Sequence, residues 1–208
     1  MFHNREFTVI RNAIDVEKFS FNQEIRNKKR DELGLKDAFV VGHVGRYCYI
    51  KNQLFLLDVF SAVKKNKKNA HLLLVGKGED EQKIRDKIRQ LHLDESVSLL
   101  IDREDVDQLY QAMDIFVMPS LFEGLPVVGV EAQANGLYCI VSSNISREIM
   151  LSTNIKRLDL KEGIEGWKKE VINGATDRNP EAVDELEKKG YNVVTEAKKM
   201  MEFYKNLM

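Results

Sequence analysis

Two cysteines, three prolines and one tryptophan among 208 residues set the first limits on this chain. Cys48 and Cys139 form no C-x-x-C pair and have no histidine-rich segment beside them. A disulfide framework and a structural zinc site are therefore excluded as organising principles, and reduced thiols are expected. Neither sign of charge is in excess: 32 Lys+Arg face 33 Asp+Glu, for a formal net charge of −1. No global basic field exists to hold nucleic acid, so none is expected as a partner. No apolar run approaches the ~20 residues that span a bilayer. The opening Phe2-His3-Asn4-Arg5-Glu6 is too polar for a signal peptide, which points to a cytoplasmic protein. There is no repeat, no low-complexity segment, no Pro- or Ser-rich linker and no G-x-G-x-x-G, so a plain NAD-dependent Rossmann enzyme is disfavoured.

What is present is an ordinary globular balance, 43% apolar and 31% charged, in a chain long enough to bury a sizeable core. Short apolar runs alternate with amphipathic segments. Strands are expected at 8–10, 39–44, 71–75, 96–99, 115–118 and 137–141, with helices at 20–33, 53–65, 79–92, 106–113 and 127–135. This alternation predicts an α/β fold, a Rossmann-like parallel sheet with helices on both faces. Gly34 and Gly136 sit where helix-ending glycines belong. After about Lys161 the alternation gives way to a mostly helical segment with Trp167, Val171, Leu186 and Phe203 among its apolar anchors. The chain thus divides into a Rossmann-like unit over 1–160 and a C-terminal helical segment over 161–208.

The most informative run is Phe122-Glu123-Gly124-Leu125-Pro126-Val127-Val128-Gly129-Val130-Glu131. Asp114 to Ser120 reads as a buried strand entering a loop, and Pro126 suits the first turn of the helix that follows. Glu123 then lies at the carboxyl edge of the sheet, where open α/β folds bind ligands and a helix N-terminus favours anions. Glu131 projects from that helix. Two hydrogen-bond acceptors beside a phosphate-friendly helix start suit a ligand bearing both hydroxyls and phosphate, which describes a nucleotide sugar. Arg46, after Gly45 at a strand end, and Lys51, opening a helix, offer a fork and a point charge for neighbouring phosphate oxygens. Gly76 and Gly78 bound a turn that either contacts the ligand or simply tightens the chain. Arg103 lies against a base or pairs with Asp105 or Asp107. His43, alone beside the clamp, reads as structural. Lys64-Lys65-Asn66-Lys67-Lys68 reads as a solvated helix end, with attraction to anionic lipid as the lesser alternative.

These segments resemble the E-x7-E retaining glycosyltransferases of family 4, and more closely the bacterial members that build capsules and exopolysaccharides. Besides the EGLP…EAQ run, the resemblance rests on Val9-Ile10-Arg11-Asn12-Ala13-Ile14-Asp15 with Phe19, Gly42-His43-Val44-Gly45-Arg46…Lys51-Asn52, Leu72-Leu73-Leu74-Val75-Gly76-Lys77-Gly78-Glu79 and Arg103-Glu104-Asp105-Val106…Leu109-Tyr110 with Met113-Asp114. It runs in order from about residue 8 to about residue 160.

The resemblance implies one half of a GT-B fold, the C-terminal half that holds the nucleotide sugar. Glu123 would contact the donor sugar's hydroxyls, Gly124 and Leu125 would approach it with backbone N–H groups, and Glu131 would take both ribose hydroxyls. Arg46 and Lys51 would stabilise the leaving nucleoside diphosphate in place of a metal ion, so neither a metal nor another cofactor is expected. The donor would be a UDP-sugar, with a GDP-sugar as the alternative. The acceptor would be a glycan or polyprenol-linked saccharide. That implies peripheral membrane contact at the inner face and a separate N-terminal GT-B domain, without which the chain would be inactive. The alternative is a non-catalytic nucleotide-sugar-binding subunit that completes its cleft with another polypeptide.

Overall fold

The computed structural model describes residues 9–205. Six strands form one parallel sheet: β1 (Phe39–Val44), β2 (Ala70–Val75), β3 (Val97–Leu100), β4 (Ile115–Met118), β5 (Tyr138–Ser142) and β6 (Ile155–Leu158), in the order β3-β2-β1-β4-β5-β6. The central strands are largely apolar because both their faces are covered. Phe39 and Val41 of β1 point into one layer and Val40 and Val44 into the other. Register is continuous along β1 and β2, from Phe39 opposite Ala70 to Val44 opposite Val75.

One face carries α3 (Gln53–Asn66), α4 (Glu81–Gln90) and α7 (Gly163–Asn173). Leu56, Phe60 and Val63 of α3, Ile84 of α4 and Trp167 of α7 share a single core with β1, β2 and β4. Trp167 is fully buried, meets Phe55 edge-on at 5.8 Å between ring centroids, and donates its Nε1–H to the Asp159 carbonyl at 3.0 Å. The other face carries α5 (Val106–Ala112) and α6 (Val127–Ala134), whose Leu109, Tyr110 and Ala132 pack on Phe116, Cys139 and Val141. The short α1 (Val16–Phe19) and α8 (Ala182–Lys188) cover the outside of α6 through Val16, Val130 and Leu186. At the opposite edge from the strand carboxyl ends, α2 (Gln23–Glu32) sends Arg26 and Arg30 to Asp114, while Arg30 and Arg178 donate to carbonyls ending α5. These cations complement the negative end of that helix. The last helix, α9 (Val193–Lys205), leaves Val194, Met201, Phe203 and Tyr204 exposed.

Three expectations change. Thr8 lies outside the described residues, and Val9 and Ile10 form no strand. They are 63% and 60% exposed, with the nearest pairing a lone bridge between Ile14 and Asn192. The helix expected at 20–33 starts only at Gln23, because Asn22 is extended and its side chain accepts the Glu24 and Ile25 N–H groups. An additional edge strand, β6, follows Asn154. No helix of the described residues is long and apolar enough to cross a membrane.

Candidate active site

All six strands run the same way, so their carboxyl ends share one edge. The strand order reverses between β1 and β4, and a crevice opens there between the loops that follow them. A cavity of about 730 Å³ occupies that crevice. It is lined by Arg46 and Lys51 from the loop after β1 and by Glu123, Gly124 and Leu125 from the loop after β4. The structure therefore brings five of the candidate residues together.

Crossing loops hold the basic side. Gly76 adopts φ +145°, and a Cβ there would lie 2.1 Å from the Gly45 carbonyl oxygen; one at Gly78 would lie 2.2 Å from that of Tyr47. These glycines let the loop after β2 pass against the loop after β1, and neither lines the cavity. Tyr47 N–H donates to the Lys77 carbonyl at 2.9 Å and fastens the crossing. Below it, Gln53 donates its side-chain amide to the Arg46 carbonyl at 2.8 Å and lies 3.3 Å from His43 Nε2. His43 Nδ1 is 2.9 Å from the Val117 carbonyl. Burial pushes the His43 imidazole down to about 4, so it is neutral at pH 7, donating from Nδ1 and accepting at Nε2. His43 is thus part of the loop's foundation.

At the cavity itself, Lys51 Nζ lies 2.7 Å from Glu123 Oε2, with both side chains about 15% exposed or less. The other oxygen, Oε1, is buried and has no hydrogen-bond partner. A buried acceptor left this way is costly unless a ligand supplies a donor. Arg46 reaches over the cavity, paired with Glu79 at 3.0 Å and largely solvated. A Cβ on Gly124 would meet nothing within 4 Å. The N–H groups of Gly124 and Leu125 donate to no group among the described residues, and no side chain caps α6. The carboxyl loop is fixed from behind: Ser146 N–H donates to the Glu123 carbonyl at 3.0 Å, and Arg157 of β6 binds the Ser143 and Ile145 carbonyls.

Besides Gly45 and Gly76, which do not line this cavity, Glu131 and Arg103 stand apart from it. Glu131 is on α6, where Tyr110 Oη–H donates to its Oε2 at 2.9 Å. Burial raises the Glu131 carboxyl above its ordinary range, and the Tyr110 hydrogen bond pulls the other way. Arg103 is paired with Asp105 at 2.6 Å and with Glu32 at 3.4 Å. Asp105-Val106-Asp107 has the spacing of a metal-binding D-x-D, but Asp105 is taken by Arg103 and Lys29. No group of three or more His, Cys, Asp or Glu among the described residues could hold a metal ion.

Sequence reasoning missed Tyr110 as the partner of Glu131, Gln53 as the strut below Arg46, and Phe122 and Tyr49 at the cavity, 60% and 77% exposed. Exposed aromatics beside a polar loop were the available signal for the last two. Nothing local in the sequence marks the others.

A parallel sheet of this order, with helices on both faces and a crevice at its switch point, is a Rossmann-like fold of the kind found in GT-B glycosyltransferases. The Glycosyl transferases group 1 family matches residues 25–164, and the chain belongs to that family. It is 36% identical over 171 residues to the putative glycosyltransferase EpsF of Bacillus subtilis, covering 81% of this chain and 44% of that protein. It is 34% identical over 142 residues to the UDP-Gal:alpha-D-GlcNAc-diphosphoundecaprenol alpha-1,3-galactosyltransferase of Escherichia coli, covering 66% of this chain and 37% of that one. In fold it is similar to Anabaena HepE, crystallised with UDP and glucose, at a TM-score of 0.79 and 20% identity, over 95% of this chain and 56% of that one. The chain therefore spans about half the length, or less, of these relatives.

Proposed function

We propose that this chain is the nucleotide-sugar-binding half of a retaining glycosyltransferase of surface polysaccharide synthesis, with a UDP-sugar as donor. The observation that carries the reading is the cavity in which Arg46 and Lys51 face Glu123, whose Oε1 is buried without a partner. Phosphate oxygens would take Lys51 and draw Arg46 from its exposed pair with Glu79. The uncapped start of α6 adds N–H groups and a positive dipole end. A sugar hydroxyl would donate to the free Glu123 oxygen, and Glu131, held by Tyr110, would receive the ribose. As the bond between the anomeric carbon and the diphosphate lengthens, charge grows on the leaving oxygens, where Lys51 and Arg46 stabilise it without a metal ion. Retention would follow if the acceptor hydroxyl attacks from the face the diphosphate leaves.

The UDP in the HepE structure and the diphosphoundecaprenol acceptor in the name of the E. coli relative support this choice of donor and a lipid-linked acceptor. The exposed apolar residues of α9, with Val9 and Ile10, suit cover by the remaining half of a longer glycosyltransferase. We expect no sugar transfer from this chain by itself. The test is calorimetric titration with UDP and GDP, without metal, on the chain and on Arg46→Ala. UDP should bind, and the variant should bind it about 1.5–3 kcal/mol more weakly, the range for a hydrogen bond to a charged group. Equal affinity in the two proteins would remove Arg46 from the site.

A further inference from the structure

A second cavity, of about 370 Å³, opens between the connection from β5 to β6 and the turn that joins α8 to α9. Arg11, Arg147, Lys188, Lys189 and Lys199 line it, with Glu148 as the single carboxylate. These five cations converge from four places in the sequence, in a chain whose formal net charge is −1. Lys199 is neutralised by Glu196 at 2.6 Å. Among the described residues, Arg11, Arg147, Lys188 and Lys189 enter no ion pair.

Neighbouring groups hold two members of this cluster. Lys189 Nζ donates to the Met150 carbonyl at 2.9 Å, and the Arg11 guanidinium lies 6.0 Å from the ring centroid of the nearly buried Tyr191. Gly190 turns the chain between α8 and α9 at φ +82°, and a Cβ there would come within 3.4 Å of Arg11 Nη1. Four like charges without an ion-pair partner among the described residues repel one another around one concavity. Glu148 offsets one of these charges, and the excess that remains is what a multiply charged anion would neutralise.

We propose that this cavity binds a phosphate or diphosphate group. Two guanidinium forks and two ammonium groups match its several oxygens better than the two of a carboxylate. Ser146, which precedes Arg147, donates its N–H to the Glu123 carbonyl, so the anion would sit next to the loop that faces the donor sugar. Its source is the diphosphate of a lipid-linked acceptor or the headgroup of an anionic lipid. The acceptor assignment rests on the donor-site reading above; the anion site itself does not.

The test titrates inorganic pyrophosphate into the chain with UDP present to fill the first cavity. The same titration is made on Arg147→Ala and on the double variant Lys188→Ala/Lys189→Ala. Pyrophosphate should bind, and each variant should weaken it about tenfold or more while UDP affinity stays within about twofold of the parent. If UDP does not bind at all, the donor reading fails, and pyrophosphate alone still reads the second cavity: loss in Arg147→Ala but not in Lys51→Ala supports it. Flotation with vesicles of phosphatidylglycerol in phosphatidylcholine separates the sources. Vesicle binding lost in the same variants assigns the site to headgroups; pyrophosphate binding without vesicle binding assigns it to the acceptor diphosphate. Equal pyrophosphate affinity in parent and variants, or no binding of either probe, overturns the proposal.

Discussion

Replacing Glu123 by glutamine separates what this residue does for a sugar from what it does to a phosphate. In the ligand-free chain, Lys51 is held by Glu123 at 2.7 Å in a cavity that leaves each side chain about 15% exposed or less. A diphosphate that takes Lys51 enters against a nearby carboxylate. Two unit charges about 4 Å apart interact by roughly 4 kcal/mol at an effective dielectric of 20, and solvent and reorganisation cancel much of that. Removing the negative charge while keeping the shape should therefore tighten UDP by about three- to tenfold, or roughly 0.7–1.4 kcal/mol. A UDP-hexose gains the same term. It also loses the charge-assisted hydrogen bond to the unpartnered Oε1, about 1.5–3 kcal/mol. The common term cancels in the ratio of the two affinities, so UDP-hexose binding relative to UDP should fall roughly ten- to hundredfold. Calorimetry of both ligands on both proteins reads this directly. An unchanged ratio would place the sugar away from Glu123, and a large loss of UDP affinity would show that Glu123 organises the clamp instead of competing with it.

Gly76 and Gly124 should divide cleanly. Gly76→Ala sets a Cβ against the Gly45 carbonyl at an unfavourable φ and should cost roughly 2–4 kcal/mol in urea unfolding. Gly124→Ala meets open space and should leave stability within about 0.5 kcal/mol while reducing UDP-hexose affinity. Glu131 must be ionised to accept two ribose hydroxyls, and burial raises its carboxyl. UDP affinity should accordingly weaken as pH falls, starting at a higher pH than an ordinary carboxylate would give, and Glu131→Gln should bind weakly with that dependence gone. The buried His43 stays neutral down to about 4, whereas the unfolded chain takes up this proton near 6.5. Its contribution to stability is present above pH 6.5 and lost as pH falls toward 4, by up to about 3 kcal/mol. Comparing unfolding free energies at pH 7.5 and 4.5, His43→Gln should show a smaller difference than the parent.

The sheet was legible wherever burial on both faces demanded a largely apolar run, as in Phe39–Val44, Ala70–Val75 and Ile115–Met118. β6 was not, because Ile155-Lys156-Arg157-Leu158 is an edge strand with only Ile155 fully buried, and its charged centre hides the strand signal. The strand expected at 8–10 failed in Val9 and Ile10 for the converse reason: a β-branched pair without a neighbouring strand is only an exposed apolar pair. Arg46, Lys51, Glu123, Gly124 and Leu125 line one cavity because the loops that carry them follow strands on the two sides of the switch point, so local motifs converge through topology. The Lys51–Glu123 pair joins residues 72 positions apart, and Tyr110 meets Glu131 across two elements. Such pairings arise from packing and have no local spacing to announce them.

Trp167 gives the chain a built-in optical probe. It is the single tryptophan, and it lies on α7, just past the segment matched by the family, with its indole N–H engaged by the Asp159 carbonyl and its ring against Phe55 of α3. Its emission therefore reads the seam between the sheet layer and the C-terminal helices without a label. A single fluorescence transition that coincides with loss of helical circular dichroism would show that the two segments melt as one cooperative body. An earlier fluorescence change would show that the C-terminal helices peel away first, and would locate the seam at which the chain can be shortened.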